Sequence, residues 1–243
     1  MTETPVISTV GLSGLLISFG SGMSEPANRA ALAFRTVLEA EDWPEVSETM
    51  MSLVSVFVAV DLVDTPAEQL REKLTDLLAT RDWYGAALPG GRHLWHIPTV
   101  YGTDLAPQLQ EVAEVAGLDP QEAIRQLSTA RVRVLTLGFA PGQPYLGELE
   151  EVWNIPRQQD LTKSVPTGAL VTAIRQLIIF TAPTPTGWRH IGQTAFRNFV
   201  LGDSNPFALS PGDELTFPAI ERAAFDKLSR TDRFGGAEKE VIA

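Results

Sequence analysis

The chain has 243 residues, 44% of them hydrophobic, so it can bury a sizeable core in one large domain or two small ones. Its formal net charge of −11, from 19 basic and 30 acidic residues, argues against a nucleic-acid partner, because nucleic-acid binders usually display a basic field. The chain contains no cysteine, which excludes disulfides, thiolate nucleophiles and cysteine-ligated zinc.

The N-terminal segment contains an apolar run at residues 10–19 that predicts a buried strand. A secretory signal needs a positive region before its apolar core, yet Glu3 is the only charge before this run and no basic residue precedes Arg29. The run is also too short to cross a bilayer, which takes about 20 residues as a helix. We therefore expect a cytoplasmic protein without a membrane segment.

Strand-like runs and amphipathic helices alternate over roughly the first ninety residues. Thr65 as N-cap, Pro66 at the first helical position and Glu68 as the capping-box partner indicate where the second helix begins. The order of elements predicts a small α+β sandwich. The predicted elements are a strand at 12–19, a helix at 24–40, a strand at 51–60 and a helix at 65–78.

After a turn at residues 88–91 the sequence predicts a strand, two short helices and then, from Arg131 onward, only strands and turns. The turn sequences VPTG, PTPTG and SPGDEL recur at intervals expected of a small barrel. The last stretch mixes charged and apolar residues and predicts a helix followed by a frayed end. We expect three parts: an α+β domain at 1–88, a β-barrel domain at 89–222 and a charged tail at 223–243.

A loop rich in glycine and proline precedes Tyr145. Gly138 and Gly142 permit backbone conformations closed to other residues, and Pro141 and Pro144 fix φ, so the loop should be stiff. Two interpretations remain open. The loop, with Phe139 and Tyr145, forms the wall of a pocket or interface, or it is a turn cluster of the kind that any barrel needs.

The same segment carries a family resemblance. GFAPGQPYLGEL at residues 138–149, followed by PRQ, VPTGAL, TPTGWRHIGQT and PGDELTF, resembles the bacterial family called allophanate hydrolase subunit 1, which is also known as the B subunit of 5-oxoprolinase. In urea carboxylase the related segment forms subdomains C and D of the carboxyltransferase domain. The resemblance implies a ferredoxin-like N-terminal domain followed by a cyclophilin-like β-barrel domain.

The family also implies a function. By resemblance, the chain is one half of a two-protein ATP-dependent enzyme that opens the cyclic amide 5-oxoproline. It would be inactive alone and would share its site with an allophanate hydrolase subunit 2 protein, the C subunit of 5-oxoprolinase. Two alternatives remain: the carboxyltransferase half of a urea carboxylase-type enzyme, and a regulatory protein that binds a sensor histidine kinase. The implied surface for substrate or partner consists of Gly138, Phe139, Pro141, Gly142, Pro144, Tyr145, Arg157 and Trp188.

The chain departs from the family pattern at four positions: Gln143 for Phe, Glu148 for Gly, Gln158 for Arg and Gln193 for Arg. Two of these changes remove a planar, permanently charged anion-binding group that glutamine cannot replace. These changes leave open the interpretation that the chain is a divergent paralogue that acts on a different substrate or on no substrate.

The remaining candidates for chemistry are few. His93 and His96 would lie on opposite faces of one strand, so we expect no metal site there. His190 either borders a pocket or is a hydrogen-bonded strand histidine. No phosphate-binding loop motif is present, so if ATP is used, most of its site must come from a partner or from an unfamiliar loop. The other polar candidates are Arg133, as an anion ligand or ion-pair member, and the acidic cluster of Glu148, Glu150 and Glu151, as a dyad or a solvated run.

Overall fold

The computed structural model describes residues 4–242 and separates into two compact units, Met1–Gly90 and Gly91–Ala243. The division falls within the turn predicted at residues 88–91. Each unit has its own hydrophobic core and its own main sheet. Among the described residues, no helix has the length and apolarity needed to cross a membrane.

The first unit is a four-stranded antiparallel sheet with two helices. Its sheet order is β1-β2-β4-β3, and alternate residues such as Leu15 and Ile17 of β2 lie in a core shared with both helices. Ser24 caps the first helix by accepting a hydrogen bond from the Ala27 N–H. The elements are β1 Val6–Val10, β2 Gly14–Ser18, α1 Glu25–Ala40, β3 Glu48–Ser52, β4 Ser55–Ala59 and α2 Ala67–Leu78.

Two local predictions for this unit were wrong. The predicted single strand at 51–60 is a hairpin, because Leu53 takes a positive φ of 45° and reverses the chain between β3 and β4. The predicted capping box does not form either. Helix α2 has Pro66 at its N-cap position, with no side-chain hydrogen bond to the helix terminus.

The ferredoxin-like prediction is not confirmed. A ferredoxin-like domain runs β-α-β-β-α-β, so one strand follows its second helix. In this unit the described residues between α2 and Gly90 form no strand. The edge position beside β2 is filled by β1, which comes from the N-terminal hairpin. The unit is therefore an α+β sandwich with its fourth strand supplied before the first helix.

The second unit is a mixed α+β structure around a curled, half-barrel sheet of nine strands. The sheet order is β15-β5-β14-β7-β8-β11-β10-β13-β6, with only the β5–β14 pair parallel among these described strands. Strands β9 and β12 form a separate pair. The elements are β5 Arg92–His96, β6 Thr99–Tyr101, α3 Leu109–Ala116, α4 Pro120–Thr129, β7 Val132–Leu137, β8 Pro144–Gly147, β9 Thr162–Val165, β10 Ala169–Ala173, β11 Gln176–Ile179, β12 Thr184–Thr186, β13 Arg189–Thr194, β14 Glu214–Thr216, α5 Arg222–Leu228 and β15 Glu238–Ile242.

The curled sheet has two buried faces. One face belongs to the main core, which includes Leu146, Leu170 and Ile191 together with residues of α3 and α4. The opposite face, called here the inner face, carries a second cluster of Val165, Ala169, Val171, Ala173, Ile178, Phe180 and Trp188, with Tyr145 packed against it. Strands that are buried on both faces have nearly continuous apolar sequences. Strands β10 and β11, within the strand pair predicted at 169–182, are buried at every position.

The C-terminal residues differ from the predicted frayed tail. Helix α5 is present, but residues Glu238–Ile242 then pair antiparallel with β5 and extend the sheet. Lys239 lies 5.0 Å from the centre of the Trp95 ring, a cation–π contact that helps to hold this edge strand. The charged residues at the C-terminus suggested an unpaired tail, but an edge strand also exposes most of its side chains, so charge is compatible with strand structure here.

Candidate functional site

Three of the predicted site residues form one group on the inner face. Tyr145 of β8 and Trp188, which precedes β13, pack edge to face with ring centres 6.4 Å apart and planes at 81°. The guanidinium carbon of Arg157 lies 5.4 Å from the centre of the Trp188 ring. Because β11 and β10 separate β8 from β13 in the sheet, it is the curl that brings these side chains together.

A β-bulge in β13 adds two polar side chains to the same face. Leu170 pairs with Gly192 but the next residue, Val171, pairs with His190, so Ile191 is the extra residue. His190 is thus opposite Val171, and Gln193 is opposite Ala169. Since Val171 and Ala169 share a face, His190 and Gln193 share it too. Their sequence spacing of three would place them on opposite faces of a regular strand.

Gln143 immediately precedes β8 and continues the β7–β8 ladder by one hydrogen bond, since its carbonyl accepts from the Gly138 N–H at 3.0 Å. It is two residues before Tyr145 and therefore on the same face. Gln143, His190 and Gln193, called here the polar trio, are exposed by only 1%, 4% and 5%.

Each member of the polar trio has one buried atom without a hydrogen-bond partner within the described part of the chain: Gln143 Oε1, His190 Nε2 and Gln193 Oε1. Leaving a buried polar atom unsatisfied costs about 1–3 kcal/mol. Native proteins keep few such atoms, and a ligand or ordered water usually satisfies them. Three of them on one face make this face the candidate binding surface of the second unit.

The polar trio carries no charge near neutral pH. Burial lowers the pKa of the His190 imidazole from its ordinary value, although the Gly192 backbone and the Gln193 side chain act in the opposite direction. A neutral imidazole offers one donor nitrogen and one acceptor nitrogen. Arg157, by contrast, is exposed and forms no ion pair among the described residues. The face thus combines a neutral polar interior with a cation at its margin.

The glycine-proline loop is held by Asn198. The Asn198 Nδ2 donates to the Gly142 carbonyl, and its Oδ1 accepts from the N–H groups of Ala208, at 3.1 Å, and Leu209, at 2.7 Å. Gly142 has a φ of +68°, and a Cβ there would approach the Phe199 Cβ to 3.0 Å. The position therefore requires glycine.

The structure does not bring every loop residue to the inner face. Phe139 has a positive φ of 69° and is 78% exposed, so it does not share the buried face with Tyr145. Pro141 is exposed, whereas Pro144 is buried at the start of β8. Gly138 is partly buried and closes the loop through its N–H.

Residues outside the predicted site position the start of β13. Gln108 Oε1 accepts from the His190 backbone N–H at 2.9 Å, and Gln108 Nε2 donates to Gln158 Oε1 at 2.7 Å. Gln158 in turn donates to the Trp188 carbonyl at 3.1 Å. Arg189 contacts Glu111 of α3 at 2.7 Å. These hydrogen bonds fix the backbone that presents Trp188 and His190.

The other candidates lie elsewhere. His93 Nδ1 is 3.6 Å from Asp213 Oδ1, whereas His96 is hydrogen-bonded to Thr216 at 2.8 Å, so the two rings have different partners. In the described residues, no group of three or more His, Asp or Glu side chains is placed to bind a metal ion. Arg133 lies on β7 and is partly buried.

The acidic cluster of Glu148, Glu150 and Glu151 follows β8. Arg175 approaches Glu148 to 3.7 Å and Glu151 to 3.2 Å. Glu148 and Glu150 line a separate cavity of about 430 Å³ beside Arg125 and Trp153. Ion pairing and exposure make this cluster a poor acid–base dyad.

Comparison with known proteins identifies the class. Residues 5–209 match the model of the family described as carboxyltransferase domain, subdomain C and D, so the chain belongs to this family. A relative from Bacillus subtilis, named as the B subunit of 5-oxoprolinase, is 29% identical over 90% of this chain and 95% of its own. A relative of the same name from Escherichia coli O157:H7 is 31% identical over 72% of this chain and 79% of its own.

Solved structures support the fold. Crystal structures of TTHA0988 are 29% identical with a TM-score of 0.72, covering 86% of this chain but only 40% of theirs. The Kluyveromyces lactis urea amidolyase is 14% identical with a TM-score of 0.76, covering 99% of this chain and 16% of its own. The Kluyveromyces lactis urea carboxylase is 14% identical with a TM-score of 0.74, covering 98% of this chain and 24% of its own. At that identity the likeness concerns the fold alone.

Proposed function

We propose that this chain is one half of a two-protein, ATP-dependent amidohydrolase of the 5-oxoprolinase type, which opens a cyclic amide. The observation that carries this proposal is the inner face, where buried, uncharged polar atoms lacking partners among the described residues lie on the same face as Tyr145 and Trp188. A neutral amide suits such a face because it offers hydrogen bonds without bringing a charge into the interior. The relatives named as 5-oxoprolinase subunits support the same chemistry.

Arg157 supports the choice of a cyclic amide that carries a carboxylate. Its guanidinium lies over Trp188 and is free to bind an anion, and an arginine binds a carboxylate with two parallel hydrogen bonds. In this proposal Arg157 and Trp188 orient the substrate, the polar trio contacts its amide, and ATP is bound mainly by the partner. The partner is a protein of the allophanate hydrolase subunit 2 type, the counterpart of the 5-oxoprolinase C subunit.

Co-expression with such a partner tests the proposal. The purified complex is screened for ATP hydrolysis with 5-oxoproline, unsubstituted lactams and ureas, using the chain alone and the partner alone as controls. We expect ATP hydrolysis that depends on both chains and on a cyclic amide. A stable complex that hydrolyses no ATP with any of these compounds would contradict the proposal.

A second candidate is carboxyl transfer to urea or a related amide. The fold match to urea amidolyase, with a TM-score of 0.76, favours retaining it. Product analysis with an added carboxyl donor separates the two functions, because carboxyl transfer would consume the donor and leave the amide ring closed.

A further inference from the structure

The sheet of the first unit has one face covered by helices and one face without a helix. Strand residues such as Leu15, Ile17 and Val58 lie in the core shared with α1 and α2. The residues that alternate with them, three from each of the four strands and twelve in all, point away from that core. We call the surface formed by these twelve residues the open face.

A row of large apolar side chains crosses the open face. The strand pairing places Leu16 directly opposite Phe57, and Phe57 opposite Met50. A Cβ on Gly14 would lie 3.1 Å from Phe57 Cζ, so the Phe57 ring extends over β2 beside Leu16. Met50 is 47% exposed, and Val6, on the opposite edge strand, is 59% exposed. The solvent side of an antiparallel sheet is normally polar, so this row indicates a surface that is covered in an assembly.

The open face is also nearly free of charge. Glu48, at one corner, is the one charged residue among the twelve, although the chain as a whole has a formal net charge of −11. Two copies of so acidic a chain repel each other over most of their surface. A neutral apolar face lets two copies approach without bringing acidic residues together, whereas a charged partner would find no complementary charge on it.

The free edge of β1 is less suited to association. Arg71 of α2 donates from Nη1 to the Ile7 carbonyl oxygen at 2.8 Å and from Nη2 to the Thr9 hydroxyl at 3.1 Å. A long charged side chain bound along an edge strand hinders the addition of another strand. The first unit therefore offers its open face, rather than this edge, to a partner.

We propose that the open face binds the open face of a second copy of this chain and forms a symmetric dimer. Rotation about a two-fold axis parallel to the strands places β2 of one copy over β4 of the other. Phe57 then faces Leu16 across the interface, and Met50 faces Ser8, so that each large side chain meets a smaller one. The inference uses no residue of the second unit and is independent of the proposed function.

The size of the open face predicts weak association. Each of its four strands has five residues. With about 4.8 Å between strands and about 3.4 Å per residue, the face covers roughly 300 Å² per copy. Stable complexes commonly bury about 800 Å² per partner. We therefore expect a reversible dimer with a dissociation constant above about 1 μM.

The test is sedimentation velocity of the full chain over a range of concentrations. We expect the weight-average mass of the wild type to rise from 26.4 kDa toward twice that value. Met50→Glu should raise the dissociation constant at least about 10-fold, because each copy would bring an unpaired carboxylate into the interface. Val241→Glu is the matched control. It adds the same charge at a 73% exposed valine of β15, in the second unit, and should leave the dissociation constant unchanged.

A wild type that stays at 26.4 kDa at every concentration would overturn the inference. A dimer that persists in folded Met50→Glu, or one that Val241→Glu disrupts equally, would do the same. If Met50→Glu does not fold in urea denaturation experiments, Val6→Glu on the opposite edge strand provides the same test. A monomeric wild type whose binding to the allophanate hydrolase subunit 2 type protein is abolished by Met50→Glu would assign the open face to that protein and refute the dimer.

Discussion

Replacement of Tyr145 by alanine tests whether the aromatic group is a binding surface or ordinary core. Tyr145 is only partly buried and packs on the smaller inner cluster, edge to face with Trp188 at 6.4 Å. Truncating a fully buried aromatic residue costs about 3–5 kcal/mol. The edge-to-face contact is worth about 0.5–1.5 kcal/mol beyond area burial. Because part of the ring stays in solvent, we expect Tyr145→Ala to cost about 1–2 kcal/mol of unfolding free energy.

Tyr101 provides a matched control. It is 8% exposed in the main core, and its hydroxyl donates to the Phe217 carbonyl at 3.0 Å. Tyr101→Ala should therefore cost about 3–5 kcal/mol. Urea denaturation of both variants gives the free energies, and a pull-down with the allophanate hydrolase subunit 2 type protein gives partner binding. Tyr145→Ala should weaken partner binding or partner-dependent activity far more than its stability loss explains.

A stability loss in Tyr145→Ala as large as that in Tyr101→Ala, with partner binding intact in the folded fraction, would refute this expectation. Tyr145 would then be a core residue, and the glycine-proline loop would be a structural turn cluster.

Three further predictions concern the unit boundary, the isolated chain and pH. Limited proteolysis should cut first near Gly90 and Gly91, where the chain passes between units, and a single resistant fragment spanning that point would contradict this. The purified chain alone should hydrolyse neither ATP nor 5-oxoproline, since it has no phosphate loop and no thiol, and robust turnover by it would disprove the shared site. Because the pKa of His190 is lower in the native chain than in the unfolded chain, the unfolded chain binds a proton below about pH 6.5 while native His190 stays neutral. The free energy of unfolding therefore decreases as the pH falls below about 6.5. His190→Gln should lose less stability than the wild type between about pH 7.5 and about pH 5.5, and equal losses in urea denaturation would contradict this.

The sequence predicted the helices well and the local strand pairing less well. The amphipathic patterns of α1 and α2 place both helices within a few residues of their observed bounds. The β3–β4 hairpin was not predicted, because it turns at Leu53, a residue without the usual sequence signal for a positive φ.

The site could be predicted only in part. Tyr145, Arg157 and Trp188 were identified through the family motifs, and the structure brings them together. The pairing of His190 with Gln193 was not predicted, because a bulge changes which residues share a face and leaves no regular period in the sequence. Phe139 could not be distinguished from Tyr145 by sequence, since both are aromatic and close to the same glycines.

The most direct test of the proposed function measures glutamate formation from 5-oxoproline by the chain combined with ATP and its allophanate hydrolase subunit 2 type partner. We expect glutamate and ADP only when both proteins are present. We also expect a strong loss of activity in Arg157→Ala and partial recovery in Arg157→Lys. Because the Arg157 side chain is exposed, neither substitution should change folding. A folded, stable complex that forms no glutamate, or one whose activity is unaffected by Arg157→Ala, would contradict the proposed role of this chain.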